Sequence, residues 1–269
     1  MAEAFFVPDG DRFVPTEWTR GPWDPNAQHA GPAAALAGRV FERLDPGPQL
    51  QVARFTFEVL RPIPVEPLAV EAAAVRSGRR VQFCLASLVS GGEEIARASA
   101  WRIRPGPENL PVPPAEPAPH PGPEGLASSP IFDPWGGPSY FSAMDWRVAA
   151  GAWGALGPAA VWMGMRVALV EGEEPSALSR VLTAADSANG ISNVLPWDRF
   201  VFINTELTVH LSRLPRGEWV CIDATSRVEP NGVGVAESVL WDGEGRIGSG
   251  AQTLLAYGRG GRTSRRRAG

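Results

Sequence analysis

Cysteine is nearly absent from this chain: Cys84 and Cys221 are the only two among 269 residues, enough for one bridge and too few for a disulfide framework or a zinc cluster. That usage points to a reduced, intracellular setting. Histidine is as scarce, with His29, His120 and His210 far apart in sequence. No H-E-x-x-H, G-x-S-x-G or G-x-x-x-x-G-K string occurs, so zincin, serine-hydrolase and P-loop chemistry have no sequence support. No apolar run approaches the ~18 residues of a membrane span, and the start, MAEAFFVPDGDRF, lacks the basic n-region of a secretory signal. A cytoplasmic protein without a membrane span is expected. Neither sign of charge dominates: 25 Lys plus Arg against 29 Asp plus Glu leave a net charge of -4, and no overall field would gather nucleic acid. The expected partner is therefore a small molecule or another protein.

What is abundant is the composition of a folded domain, with 44% hydrophobic and 20% charged residues. Ten tryptophans, among them Trp146, Trp153, Trp162 and Trp197, suit core and interface packing. Proline and glycine concentrate between Pro105 and Pro138, too densely for a helix or a central strand, which marks a linker. On either side lie segments of similar length that repeat weakly. Glu94-Ile95-Ala96-Arg97 aligns with Arg246-Ile247-Gly248-Ser249 at an offset of 152 residues, and Phe57 to Pro64 aligns with Thr208 to Pro215 at 151. The expected division is a domain over 1–104, a linker over 105–139, a second domain over 140–258 and a basic, disordered tail over 259–269.

Each half has the same order of elements. An extended start (Ala4 to Val14; Met144 to Val148 and Val161 to Leu169) is followed by a helix, Gly31 to Leu44 or Pro175 to about Asn189. Asp45-Pro46-Gly47 stops the first helix and Asn189-Gly190 the second. Strands follow over Val52–Leu60, Leu68–Val75, Arg80–Val89 and Glu94–Arg104, matched by Phe202–Leu211, Glu218–Arg227, Gly232–Trp241 and Arg246–Tyr257. Helix first, then antiparallel strands, is an α+β pattern. The stretch Ala33 to Ala37 is apolar almost all round, so its helix must be enclosed on most sides. A curved antiparallel sheet wrapped round one helix, the hotdog fold, satisfies this, and two copies give a double hotdog with the sheets edge to edge.

Asp186 is the most informative polar residue. Leu178, Leu182 and Asp186 share one helical face, which places a carboxylate toward the core, unless the helix has frayed and Asp-Ser-Ala-Asn-Gly is only a polar cap. Gln252 lies in the last strand where the first half has Ala100, and a half-buried amide needs partners for both its oxygen and its nitrogen. The strand Phe202–Leu211 alternates, with Asn204, Glu206, Thr208 and His210 on one face and Ile203, Thr205, Leu207, Val209 and Leu211 on the other. His210 suits a strand residue better than a general base. His29 stands where it would touch a ligand at a helix N-terminus, or would simply occupy a turn.

These residues resemble a family, the type II acyl-CoA thioesterases with a double hotdog. The resemblance spans nearly the whole chain, through Gly21-Pro22-Trp23, the Ala30-Gly31 helix start, Phe57 to Pro62 and Gly250-Ala251-Gln252. It implies hydrolysis of a fatty acyl-CoA or related acyl thioester to the free acid and CoA, within lipid metabolism, by an Asp, a Thr and a Gln that activate water. Asp186 matches the Asp and Gln252 the Gln, while the Thr position falls on Asn204 or, shifted by one, on Thr205. His29 and Gly31 are the implied substrate-binding positions, with backbone N–H groups of a helix N-terminus facing the oxyanion. No metal or redox cofactor is implied, coenzyme A entering only as part of the substrate, and a homo-oligomer of double hotdogs is compatible with the fold. Two other activities fit the same groove, a non-catalytic acyl-CoA or acyl-carrier binding protein and, less well because no His follows an Asp on either helix, an enoyl-CoA hydratase.

Overall fold

The computed structural model describes residues 3–44, 50–106, 110–114, 116–130, 132 and 134–259. The helix stop expected at Asp45-Pro46-Gly47 and the basic segment from Gly260 onward lie outside the described residues. The first half contains β1 (Ala4–Asp9), β2 (Arg12–Pro15), α1 (Ala30–Arg43), β3 (Gln51–Val59), β4 (Leu68–Ser77), β5 (Val81–Ser90) and β6 (Glu93–Ile103). The second contains α2 (Tyr140–Ala143), β7 (Met144–Ala150), β8 (Ala159–Met165), β9 (Ala168–Val170), α3 (Ala177–Ala185), α4 (Ala188–Ile191), β10 (Phe200–Asn204), β11 (Glu206–Leu211), β12 (Trp219–Val228), β13 (Val233–Asp242) and β14 (Gly245–Gly258). All strands join one sheet in the order β7-β8-β12-β13-β14-β11-β3-β6-β5-β4-β2-β1-β9, with β10 also pairing β14. The architecture is the expected α+β double hotdog.

The two halves meet where β3 pairs antiparallel with β11, Thr56 opposite Thr208 and Phe57 opposite Leu207. Thr56 and Thr208 are 152 positions apart, the offset of Ile95 and Ile247, so repeat-related residues face each other as they would across a two-fold axis. Their hydroxyls lie 3.1 Å apart. The Leu60 N–H donates to the Ile95 carbonyl, and the Ser212 N–H, 152 residues later, donates to that of Ile247. The offset of 151 from Phe57 and Thr208 is therefore one residue out: it aligned the prolines at the strand exits, whereas the sheet register is fixed by the pairing.

Both helices lie within the sheet's curve. In α1 every residue from Gly31 to Gly38 is buried, as its near-continuous apolar surface requires. It packs antiparallel on α3, and glycine permits the close approach: a Cβ on Gly38 would sit 2.5 Å from Leu182 Cδ1, and one on Gly31 2.5 Å from the Thr183 carbonyl oxygen. Arg39 clamps the pair at the far end by donating from Nε and Nη2 to the Glu173 carboxylate. The second helix is shorter than the expected Pro175–Asn189. It ends at Ala185 with Asp186 as its C-cap, where the Ser187 N–H bonds the Ala184 carbonyl in a tightened turn, and the short α4 follows.

Two further segments differ from their sequence appearance. Within the Pro-rich stretch, the described residues 116–130 lie against the sheet. Ala118 and Leu126 cover Trp162, Cys221 and Trp241 on the sheet face away from the helices, and Trp162 Nε1 donates to the Pro121 carbonyl at 2.7 Å. Gly243-Glu244-Gly245-Arg246-Ile247-Gly248 has the glycine spacing of a dinucleotide loop but forms the β13–β14 hairpin, with no helix for a pyrophosphate to cap. Burial pushes the Cys221 thiol up to about 12 and raises that of Cys84, so both behave as small hydrophobes.

Candidate active site

The polar centre forms where the N-terminus of α1 meets the C-terminus of α3. The loop before α1 is pinned by Gln28 N–H to the Ile63 carbonyl (2.8 Å) and His29 N–H to that of Thr19 (2.7 Å), so His29 enters the helix at a fixed point as its N-cap. Asp186, only 2% exposed, projects from the last turn of α3 toward it. Oδ2 of Asp186 lies 3.0 Å from His29 Nδ1, while Oδ1 accepts from Asn204 Nδ2 at 2.8 Å and Gln252 Nε2 at 3.1 Å. The helix does end at this residue, yet its side chain is a buried carboxylate with three partners rather than a solvent-facing cap.

Gln252 is a support from behind. Its Nε2 donates to both the backbone carbonyl and Oδ1 of Asp186, and its Oε1 accepts the Asn189 N–H at 3.0 Å. With both amide hydrogens committed to Asp186 and the side chain 1% exposed, it fixes the carboxylate instead of holding water. Burying it unpaired would cost on the order of 1–3 kcal/mol, and these bonds offset that cost.

Asn204 reaches the site through a bulge. Four residues separate Asn204 from Thr208, but only three separate their β14 partners, Leu254 and Ala251. The extra residue is Thr205, and it shifts the alternation by one: Phe202 and Asn204 share the inner face with Leu207 and Val209, while Glu206, Thr208 and His210 point outward. The unbroken alternation expected over Phe202–Leu211 is thus corrected. Thr205 is exposed, its hydroxyl 3.4 Å from the Thr253 carbonyl, and it does not meet Asp186.

His29 Nδ1 is also 3.2 Å from the Gly31 N–H. A ring nitrogen carries either a lone pair or a proton, so Nδ1 caps the helix in one state and donates to Asp186 in the other. The ring is held flat on Tyr140, centroids 3.7 Å apart and planes at 8°. The Tyr140 hydroxyl donates to the Thr183 carbonyl at 2.7 Å and sits 2.8 Å from Ser187 Oγ. Burial, reinforced by the Asp186 charge, keeps that phenol protonated. Gly31 does not line the cavity described below; it is packed against Thr183, so its contribution is the helix contact rather than a ligand contact.

Asp186, His29 and Asn204 open onto a cavity of about 670 Å³, mostly apolar, whose wall includes Phe141, Trp146, Trp153 and Trp197. This combination, a few convergent polar groups in an apolar cleft, is that of a small-molecule site. Sequence reasoning missed Tyr140, Ser187, Asn189 and the aromatic wall. The Ser-Tyr-Phe that ends the Pro-rich stretch was the available signal, in a chain with only two tyrosines. Among the described residues no group of three His, Cys, Asp or Glu side chains is placed to hold a metal ion.

Solved structures with this arrangement of two hotdogs are readily found. A candidate thioesterase II from Thermobifida fusca YX is 17% identical with a TM-score of 0.72, covering 94% of this chain and 95% of that one. A hot dog fold protein of unknown function from Alicyclobacillus acidocaldarius is 15% identical with a TM-score of 0.69 (95% and 96% covered), and the acyl-CoA thioesterase II TesB2 of Mycobacterium marinum is 17% identical with 0.65 (93% and 94% covered). At such identities they establish the fold. No curated protein matches the sequence. The family follows from the sequence models: that of the acyl-CoA thioesterase C-terminal domain matches residues 114–256 and that of the N-terminal domain matches residues 19–103. The chain belongs to the acyl-CoA thioesterase family.

Proposed function

We propose that the protein hydrolyses an acyl-CoA thioester to the free acid and CoA. The observation that carries this reading is Asp186: a buried carboxylate, fixed by Asn204 and Gln252, set beside an imidazole at the wall of an apolar cavity. Oδ1 already accepts two bonds, which leaves Oδ2 to take a proton from water. The water oxygen attacks the thioester carbonyl carbon as its proton passes to Asp186. The developing oxyanion is met by the N–H of Ala30, the one first-turn residue of α1 at the cavity wall, at the helix end that carries partial positive charge. The intermediate collapses, the C–S bond breaks, and the Asp186–His29 pair returns the proton to the departing sulfur. The reaction calls on water and the chain's own groups, in a cytoplasmic setting of lipid metabolism.

Thiol release from a series of acyl-CoAs tests the proposal, with Asp186→Asn as the control that keeps shape and removes the base. The expected result is a fall in kcat of roughly 10²–10⁴ with KM little changed. Acyl-CoA bound at every chain length but never cleaved would instead identify a binding protein. A second reading gains support from one contact. Sequence offered no His beside an Asp, but the fold brings His29 of one half to Asp186 of the other, and an acid and a base facing each other could add water to an α,β-unsaturated acyl-CoA. Loss of the enoyl absorbance without thiol release would favour that hydratase.

A further inference from the structure

We infer that Trp153 closes the acyl arm of the cavity and sets the length of acyl chain the protein accepts; the inference rests on reading the cavity as an acyl-thioester site. The cavity has two ends of opposite character. At one, Leu60 (45% exposed), Tyr257 (48%) and Arg61, which pairs with Glu93 at 3.5 Å, border solvent. At the other, the β7–β8 connection, Gly151-Ala152-Trp153-Gly154-Ala155-Leu156-Gly157-Pro158, carries no charge at all. The polar, phosphorylated part of CoA suits the solvent-bordered end and the hydrocarbon the uncharged one.

Between the polar centre and that loop runs a line of rings. Phe141 stands edge-on to His29 at 6.4 Å, Trp146 follows Phe141 at 5.9 Å, and Trp153 follows Trp146 at 5.5 Å. Val148, Ala159 and Val161 complete the arm with small side chains. Trp146 cannot yield: it is 2% exposed and its Nε1 donates to the Phe141 carbonyl at 2.8 Å. Trp153 is different. It is half-buried while its neighbours Ala152, Gly154 and Ala155 are exposed, so its indole is what separates the arm from solvent. The loop bends at Gly151, Gly154 and Gly157, with φ of 81°, 75° and 109°, and is tied by Gly157 N–H to the Asn193 carbonyl at 2.9 Å. Removing the indole opens the arm rather than leaving a void in the core.

The test compares wild type with Trp153→Ala, Trp153→Phe and Ala155→Trp, the last filling the same end without deleting a core contact. Two ladders are measured, kcat/KM for thiol release from straight-chain acyl-CoAs from acetyl to palmitoyl, and calorimetric binding of the matching free acids. In Trp153→Ala the limit moves to longer chains, kcat/KM beyond the wild-type limit rising at least about tenfold, the discrimination a few methylenes provide in an apolar pocket. Trp153→Phe falls between wild type and Trp153→Ala, and Ala155→Trp moves the limit to shorter chains. Identical ladders in all four proteins, with thiol still released, overturn the inference and leave the thioesterase standing. A binding ladder that moves with residue 153 while nothing is cleaved upholds the inference and overturns the thioesterase. Neither binding nor cleavage overturns both.

Discussion

Asn204 stands where the family resemblance implies a threonine, and its amide changes what the site can do. Nδ2 donates at 2.8 Å to the same oxygen that Gln252 holds, so both amides bond Oδ1 of Asp186 and Oδ2 is the oxygen on which the proposed proton transfer falls. Asn204→Asp replaces that donor by a second carboxylate. Two carboxylates sharing a site cannot both ionise easily, and one of them titrates well above its ordinary range. Since the base must be deprotonated to act, the acidic limb of the kcat/KM profile should move to higher pH, by one unit or more. Asn204→Ala removes a hydrogen bond to the charged carboxylate without adding a second charge, and should lower kcat with a smaller upward move of the limb than in Asn204→Asp. A pH profile of the three proteins checks both outcomes, and an unshifted limb in Asn204→Asp would show that Asp186 is not the group that titrates in catalysis.

At the scale of elements, the helix pair sets the site's dimensions. His29 and Asp186 meet because α1 and α3 approach closely enough for the Gly31 Cα to lie against the Thr183 carbonyl. Gly31→Ala gains up to about 1 kcal/mol of helix propensity. It also drives a methyl to 2.5 Å from a backbone oxygen that cannot rotate away, and such overpacking costs roughly 1–3 kcal/mol. The clash wins, so the thermal midpoint should fall and activity with it, because the displaced N-terminus carries His29. Gly38→Ala meets side-chain atoms of Leu182 and Leu178 rather than backbone, and should be milder in both respects. These positions were legible in part. The start of α1 and the four strands after it follow the sequence within a residue or two, because capping and alternation are local. The sequence pattern groups Asn204 on one face with Glu206, Thr208 and His210, because a one-residue bulge leaves no local mark and only the pairing of β10 and β11 with β14 reveals it. His29 and Asp186 come from different halves, and no spacing rule joins residues across a repeat.

The whole molecule carries the same arrangement twice with different contents. At one end of the helix pair the N-cap of α1, His29, meets the acid Asp186; at the other the N-cap of α3, Ser176, donates to Glu42 at 2.7 Å. Burial raises the Glu42 carboxyl, against the pull of that hydrogen bond, and Glu42 lies outside the cavity, so of the two ends it is the first that opens onto it. Neither half is complete without the other. The β3–β11 seam pairs two strands that would otherwise be bare edges, and each central helix buries its face against its counterpart. At the sheet's far end β9 of the second half lies parallel on β1 of the first. A unit joined in this way should unfold in one cooperative step despite its two repeats. The tryptophans make this measurable, because seven of the ten lie between 135 and 241, so fluorescence reports chiefly on the second half while far-ultraviolet circular dichroism reports on both. In urea the two signals should give the same midpoint and the same slope. If the halves were independent, the dichroism curve would be displaced or broadened relative to fluorescence. A Leu207→Asp substitution, which places a charge in the seam opposite Phe57, should lower both midpoints together, and a shift confined to one probe would contradict a single folding unit.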